Sequence, residues 1–425
     1  MLTKRKLGGL IRIKHGFPFS GEHFSDEGRL IVLTPGNFYE AGGFKCTPGK
    51  EKYYNADYPA QYLCSHGDLV VAMTQQAEGL LGSTAIIPES GLYLHNQRIG
   101  LISWDRSLAD KMYIYYLFMT GPVRRQIRMT ASGSKVKHTS PERIYDVVVW
   151  TPDVNTQSRI GAILGKIDRK IALNSAVNAG LESAAQTLYH YWFTQFDFPG
   201  ANGRPYKSGG GAMVWSKELK RNIPKGWKAA SLSNNTLCKL IASGVEKFSG
   251  KKVYLSTSEV NGMEITDHSV AVEYASRPAR ANMQPRMNSV WFAKMKDTVK
   301  HLLVNDGAGI FVDDYLLSTG FAGLQCSQDS VYYVWNYLNA AYFERKKNQI
   351  ATGATQQAVN ETDIKEFYIV VPAPDVLSKF NAAIAFHYRL ISRNRFESKD
   401  LTELRGFLLP LLFNGQVCIA ADGAA

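Results

Sequence analysis

Residues 155–193 read NTQSRIGAILGKIDRKIALNSAVNAGLESAAQTLYHYWF, and their spacing decides the architecture. Ile160, Leu164, Ile167, Ile171, Asn174, Asn178, Leu181, Ala185, Leu188 and Trp192 follow one another at alternating steps of four and three. That rhythm is the heptad seam of a coiled-coil helix. A helix of about 40 residues is about 60 Å long at 1.5 Å per residue. It cannot bury a stripe of that length against itself, so it needs a second helix.

The chain supplies one. Tyr113–Phe193 recurs as Tyr333–Phe413 at a constant displacement of 220 residues, with no gap. Arg125/Arg345, Gly133/Gly353, Pro152/Pro372, Arg169/Arg389, Asn174/Asn394 and Leu188/Leu408 match across the copies. Hydrophobic pattern alone would not hold one register through Gly, Pro, Arg and Asn. The second seam reads Phe380, Ile384, His387, Ile391, Asn394, Ser398, Leu401, Arg405, Leu408 and Leu412. Polar seam residues fix register and pairing at some cost in stability. Asn174, Asn178, Asn394 and Ser398 are read in that way rather than as ligands.

Between the copies, Phe198-Pro199-Gly200-Ala201-Asn202-Gly203-Arg204-Pro205-Tyr206-Lys207-Ser208-Gly209-Gly210-Gly211 has the composition of a linker. A short linker favours antiparallel helices, since parallel ones would send the chain back along the whole coil. The expected order is a first module (1–152), a first helix (153–195), a linker (196–222), a second module (223–372), a second helix (373–414) and a tail (415–425). The fold class is α+β: two mixed β-rich modules separated by an antiparallel pair of long helices, with approximate two-fold symmetry. Upstream of the strict repeat the modules diverge. Short β-type runs at Leu30–Thr34, Asp68–Met73, Thr84–Ile87 and Tyr93–Ser103 have counterparts at Lys252–Ser256, Ser289–Ala293 and Gly309–Val312. Each module is expected to close with a helical segment, a Gly loop and a last strand.

Composition narrows the partner. The 49 Lys and Arg against 37 Asp and Glu give a net charge of +12, which favours a polyanion through counterion release. The five scattered cysteines contain no C-x-x-C pair, so neither a zinc site nor a disulfide framework is indicated, and a reducing cytoplasm fits. No apolar run reaches membrane-spanning length, and no membrane partner is expected.

Two basic Gly loops are the candidate contact surfaces. Arg124, Arg125 and Arg128 lead into Ser134, Lys135, Lys137 and His138; Arg345, Lys346 and Lys347 lead into Thr355, Gln356 and Gln357. Small residues let backbone N–H groups approach phosphate, while Gln, Arg and Lys can address base edges. Singly, each residue reads equally well as a solvated surface group. Together, in a duplicated basic chain, they point to nucleic acid. Chemistry is missing: no G-x-x-x-x-G-K-[ST], G-x-G-x-x-G or H-E-x-x-H is present, and no amino-methyltransferase motif or nuclease carboxylate cluster. Gly161-Ala162-Ile163-Leu164-Gly165-Lys166 imitates part of a phosphate loop but lies in the seam.

Several stretches resemble the specificity subunit of type I restriction–modification enzymes. They are Trp192–Pro199, Gly203–Gly210, Ile223-Pro224-Lys225-Gly226-Trp227, Gly67–Val71, Asn96-Gln97-Arg98, Gln157 and Leu408–Leu412. The first module departs from the pattern, lacking the Pro-x-Gly-Trp opening. The resemblance implies two target-recognition domains, each reading half of a bipartite site in double-stranded DNA. It also implies two modification (methyltransferase) subunits and restriction subunits as partners. S-adenosylmethionine and ATP with Mg belong to those partners, leaving this chain with no cofactor and no catalysis of its own. A specificity component of a type IIB-like or other phage-defence methyltransferase system is the alternative. A stand-alone nuclease or methyltransferase, or a purely structural adaptor, fits less of the chain.

Overall fold

The computed structural model describes residues 2–419 apart from 48, 76–78, 201–202 and 354–356, with the side chains of 309 and 310 also set aside. Two compact units emerge, Met1–Lys170 with Asp400–Ala425, and Ile171–Lys399. Each long helix therefore contributes residues to both units.

In the first unit a four-stranded antiparallel sheet is ordered Ile11–His15, Ile99–Trp104, Leu69–Ala72, Thr84–Ile86. Every residue of Leu69–Ala72 is fully buried, which explains its unbroken apolar run: both faces are covered. A smaller sheet carries Phe24–Ser25, Tyr53–Tyr54, Leu30–Val32 and Tyr93–Leu94, the last two parallel. The expected run Tyr93–Ser103 is thus two strands, because a turn at Asn96 sends them to different sheets. Helices Lys111–Leu117 and Gly121–Met129 follow, the first capped by Asp110, whose carboxylate accepts from Tyr113 N at 3.0 Å. The first long helix, Val154–Tyr189, begins against them. A Cβ on Gly161 would lie 2.7 Å from Met112 Cβ, so Gly161 serves close helix packing and the phosphate-loop likeness is incidental.

The second unit repeats this plan. Its main sheet is ordered Cys238–Leu240, Phe321–Cys326, Ser289–Ala293, His301–Val304. Its smaller sheet runs Ala271–Glu273, Lys251–Leu255, Tyr315–Ser318, Ala281–Met283, again with one parallel pair, Lys251–Leu255 beside Tyr315–Ser318. Two expectations fail here. Gly309–Val312 belongs to a helix, Gly309–Asp314, in which Phe311 stacks on Tyr315 with ring centroids 4.6 Å apart. A short apolar run does not separate helix from strand, and this aromatic contact decides it. The stretch taken as linker is also structured. Phe198 stacks between Tyr206 and Trp227 at 4.7 and 4.8 Å, and Met213–Ser216 forms a hairpin with Arg221–Pro224. The aromatics bury surface that glycine-rich composition concealed.

The seam positions are buried or half-buried throughout. In the second unit Asn174 Nδ2 donates to Glu397 Oε2 (2.9 Å) and Ser398 Oγ (3.2 Å), Asn394 Nδ2 to Asn178 Oδ1 (2.9 Å), and Arg395 pairs with Glu182 (2.7 Å). Further along, Phe193 meets Phe380 edge-on at 4.8 Å. As residue number rises on one helix it falls on the other, so the helices are antiparallel. The first unit shows the same sense: Asp168 pairs with Arg405 (2.5 Å) and Arg159 donates to Ile419 O (3.5 Å). The second long helix spans Pro374–Phe413. Among the described residues no helix is long and apolar enough to cross a membrane.

Candidate nucleic-acid interface

The Gly loop of the first unit is a closed hairpin. Ser132 N donates to His138 O (3.0 Å) and His138 N returns to Ser132 O (2.8 Å). Gly133 sits at φ +95°, and a Cβ there would meet Val136 O at 2.0 Å, so no other residue fits. The loop docks on the main sheet's extension: Lys137 and His138 pair with Gln75 and Thr74, and Thr139 N donates to Met73 O (2.9 Å).

The second unit rebuilds this frame 220 residues on. Thr352 and Ala358 exchange the equivalent bonds at 3.2 and 3.0 Å around Gly353 at φ +135°. Val359 N donates to Lys294 O (3.0 Å), as Thr139 does to Met73. Met73 N in turn donates to Arg98 O (3.0 Å), and Lys294 N to Gly320 O (2.9 Å). The correspondence is residue for residue.

The side chains on this frame sort into surface groups and anchors. Arg125, Arg128, Ser134, Lys135, Lys137 and His138 are exposed and together form a cationic face in the first unit. Arg124 does not join them. It shares the buried face of its helix with Val123 and Ile127, and its guanidinium donates to Leu81 O (2.7 Å) and to Glu40 O. Burial, with Arg128 adding, lowers its pKa to about 10. Lys347 is likewise lost to the surface in the second unit. It is 0% exposed, and its ammonium donates to Ala293 O (3.2 Å), Thr298 O (2.7 Å) and Glu344 (2.8 Å). Both residues tie strand ends to the helix beneath the loop, which excludes them from phosphate contact. Lys346 is half-buried, and Gln357 is exposed. Thr355 and Gln356 lie outside the described residues.

Three cations that the loop motif did not include join the second face: Arg280, Lys294 and Lys296. Arg280 O accepts from Thr319 N (2.9 Å), beside the Gly320 carbonyl that receives Lys294 N, so one turn gathers Arg280 and Lys294. Burial lowers the Lys294 pKa, Glu361 opposes this, and the nearby Arg280 charge lowers it further. In the first unit Arg98 is the equivalent addition, exposed at the corresponding turn. A turn between two confident strand patterns is the signal that would have found Arg98. Among the described residues no group of three or more His, Cys, Asp or Glu could hold a metal ion.

Comparison with known proteins gives concordant results. Residues 2–183 match the family model described as "Type I restriction modification DNA specificity domain". The chain is 23% identical over 310 residues to the type I restriction enzyme MjaIX specificity subunit of Methanocaldococcus jannaschii, covering 72% of this chain and 68% of that one. It is 21% identical over 388 residues to the HindI specificity subunit of Haemophilus influenzae, covering 76% and 81%. Among solved structures, the type I restriction–modification S subunit from M. genitalium shares the fold at a TM-score of 0.59 and 13% identity, over 97% of this chain and 96% of that one.

Proposed function

Because the chain belongs to the type I restriction–modification specificity-subunit family, we propose that it reads a bipartite DNA duplex, one half-site per unit, without performing chemistry on it. The observation that carries this reading is the recurrence of one closed Gly-loop frame in both units with different side chains mounted on it. A shared frame gives both units the same way of approaching a duplex. Different side chains give each its own base preference. The exposed cations Arg125, Arg128 and Lys135 then hold phosphate and set register, while loop-tip and turn residues address base edges.

The reaction belongs to partners: two methyltransferase subunits that use S-adenosylmethionine, and restriction subunits that use ATP and Mg. The test is to express the chain with its methyltransferase and map the modified bases across a genome. The expected result is one motif of two short specific blocks with a fixed gap of unspecified bases. Modification at a single uninterrupted block, or the same activity without this chain, contradicts the proposal.

A further inference from the structure

Lys296 Nζ donates to Gln357 Oε1 at 2.8 Å, joining a strand-end turn to the Gly loop. Their backbones are joined as well, Lys296 N donating to Gln357 O at 2.9 Å. Lys296 stands at a tight turn whose next residue, Asp297, has φ +53° and is locked from both sides by Asn348. Asp297 N donates to Asn348 Oδ1 and Asn348 Nδ2 donates to Asp297 Oδ1, each at 2.9 Å. The pair is therefore held on backbone rather than left at the ends of loose side chains.

Its hydrogen-bonding character follows from the inventory of the two groups. A free glutamine amide offers one acceptor and two donors, and so matches adenine, which presents an acceptor beside a donor in the major groove. Here the acceptor is engaged by the lysine. What remains for a ligand is the Gln357 amide N–H pair, with no partner among the described residues, and the remaining ammonium protons of Lys296. That is a donor-only array. Guanine is the base whose major-groove edge presents two adjacent acceptors, N7 and O6.

The first unit places the same residue types in reversed positions, and its geometry differs. Gln75 stands where Lys296 does and Lys137 where Gln357 does, but Gln75 is buried with its Oε1 accepting from Leu81 N at 2.7 Å. No exposed Lys–Gln pair forms there, so the feature distinguishes the units.

We propose that Lys296 and Gln357 together select a guanine in the half-site addressed by the second unit. The inference rests on the reading of two half-sites given above. It is tested by selecting duplexes from a randomised library with the full chain and with Lys296→Ala, Gln357→Glu and Lys296→Arg variants, melting curves being compared alongside. The wild type is expected to enrich a bipartite motif with guanine at one position. Lys296→Ala should relax that position about tenfold, Gln357→Glu should abolish the guanine preference, and Lys296→Arg, which keeps the donors, should retain it. The other half of the motif should stand unchanged in all three. An unchanged motif in Lys296→Ala and Gln357→Glu would overturn the proposal. So would a uniform loss of affinity with the motif intact, which would make the pair a phosphate contact. A wild-type chain that enriches no motif would instead overturn the two-half reading, and the guanine assignment with it.

Discussion

The helix beneath the Gly loop does the same work in the two units with opposite charges. In the first, Arg124 reaches inward to the carbonyls of Leu81 and Glu40. In the second, the equivalent position is Glu344, and the inward cation is Lys347, one turn later. Lys347 holds Ala293 and Thr298, while Glu344 also meets the buried His301 at 3.0 Å. Burial alone would raise the Glu344 pKa, yet hydrogen bonds from His301 and Lys347 outweigh it and leave it lowered. Backbone bonds of the frame recur at matching positions while the anchors beneath it are rewritten. The fold thus holds a constant scaffold and lets each unit's surface vary independently.

Removing an anchor is the harshest way to break that comparison. Lys347→Met leaves Glu344 buried beside His301 without its cation, and should cost the second unit about 3 kcal/mol or more. Arg124→Met leaves two carbonyls unsatisfied and should cost the first unit about 2 kcal/mol. Denaturant unfolding with a fluorescent probe in each unit checks both. Equal loss in both units from either variant would contradict independent anchoring.

Acid should separate the units next. His95 is buried in the first unit, its Nε2 2.8 Å from Ile99 O. Burial lowers its pKa from 6.5 to about 4, with Lys14 adding and Asp68 opposing. A folded-state pKa below the unfolded one means that the unfolded chain binds the proton more readily. The stability from neutral His95 is therefore full above pH 6.5 and is lost as pH falls towards 4, about 3 kcal/mol in all. In His95→Gln the first unit should lose this dependence, while melting of the second unit over the same range should match wild type.

The smallest effects sharpen the division between anchors and surface. Arg128→Ala and Lys135→Ala should leave melting unchanged and weaken DNA binding several-fold, each reducing the slope of log affinity against log salt by about one. A fall in melting temperature would place these residues among the anchors instead.

The helical pairing was legible in the sequence because a heptad seam is periodic and its repeat ungapped. The Asn174, Asn178, Asn394 and Ser398 positions were read as register devices, and they do bond to one another across the two helices. The main-sheet strand Ser289–Ala293 was legible because its apolar run is continuous. Two features hid the rest. Helix Gly309–Asp314 and the hairpin at 213–224 depend on aromatic contacts between residues that local pattern does not connect. At the loops, motif reading grouped Arg124 with Arg125 and Arg128 because all three are basic neighbours. Helical periodicity turns Arg124 inward, as it does Lys347, and the groups that join the face, Arg98, Lys294 and Lys296, lie far off in sequence.

One measurement addresses the claim of independent surfaces on a common frame: exchange residues 223–372 for those of a relative with a different target, and map modified bases with the methyltransferase present. The account expects one block of the motif to change to the donor's while the other block stays as it was. A motif that stays whole after the exchange, or one altered in both blocks, would contradict it.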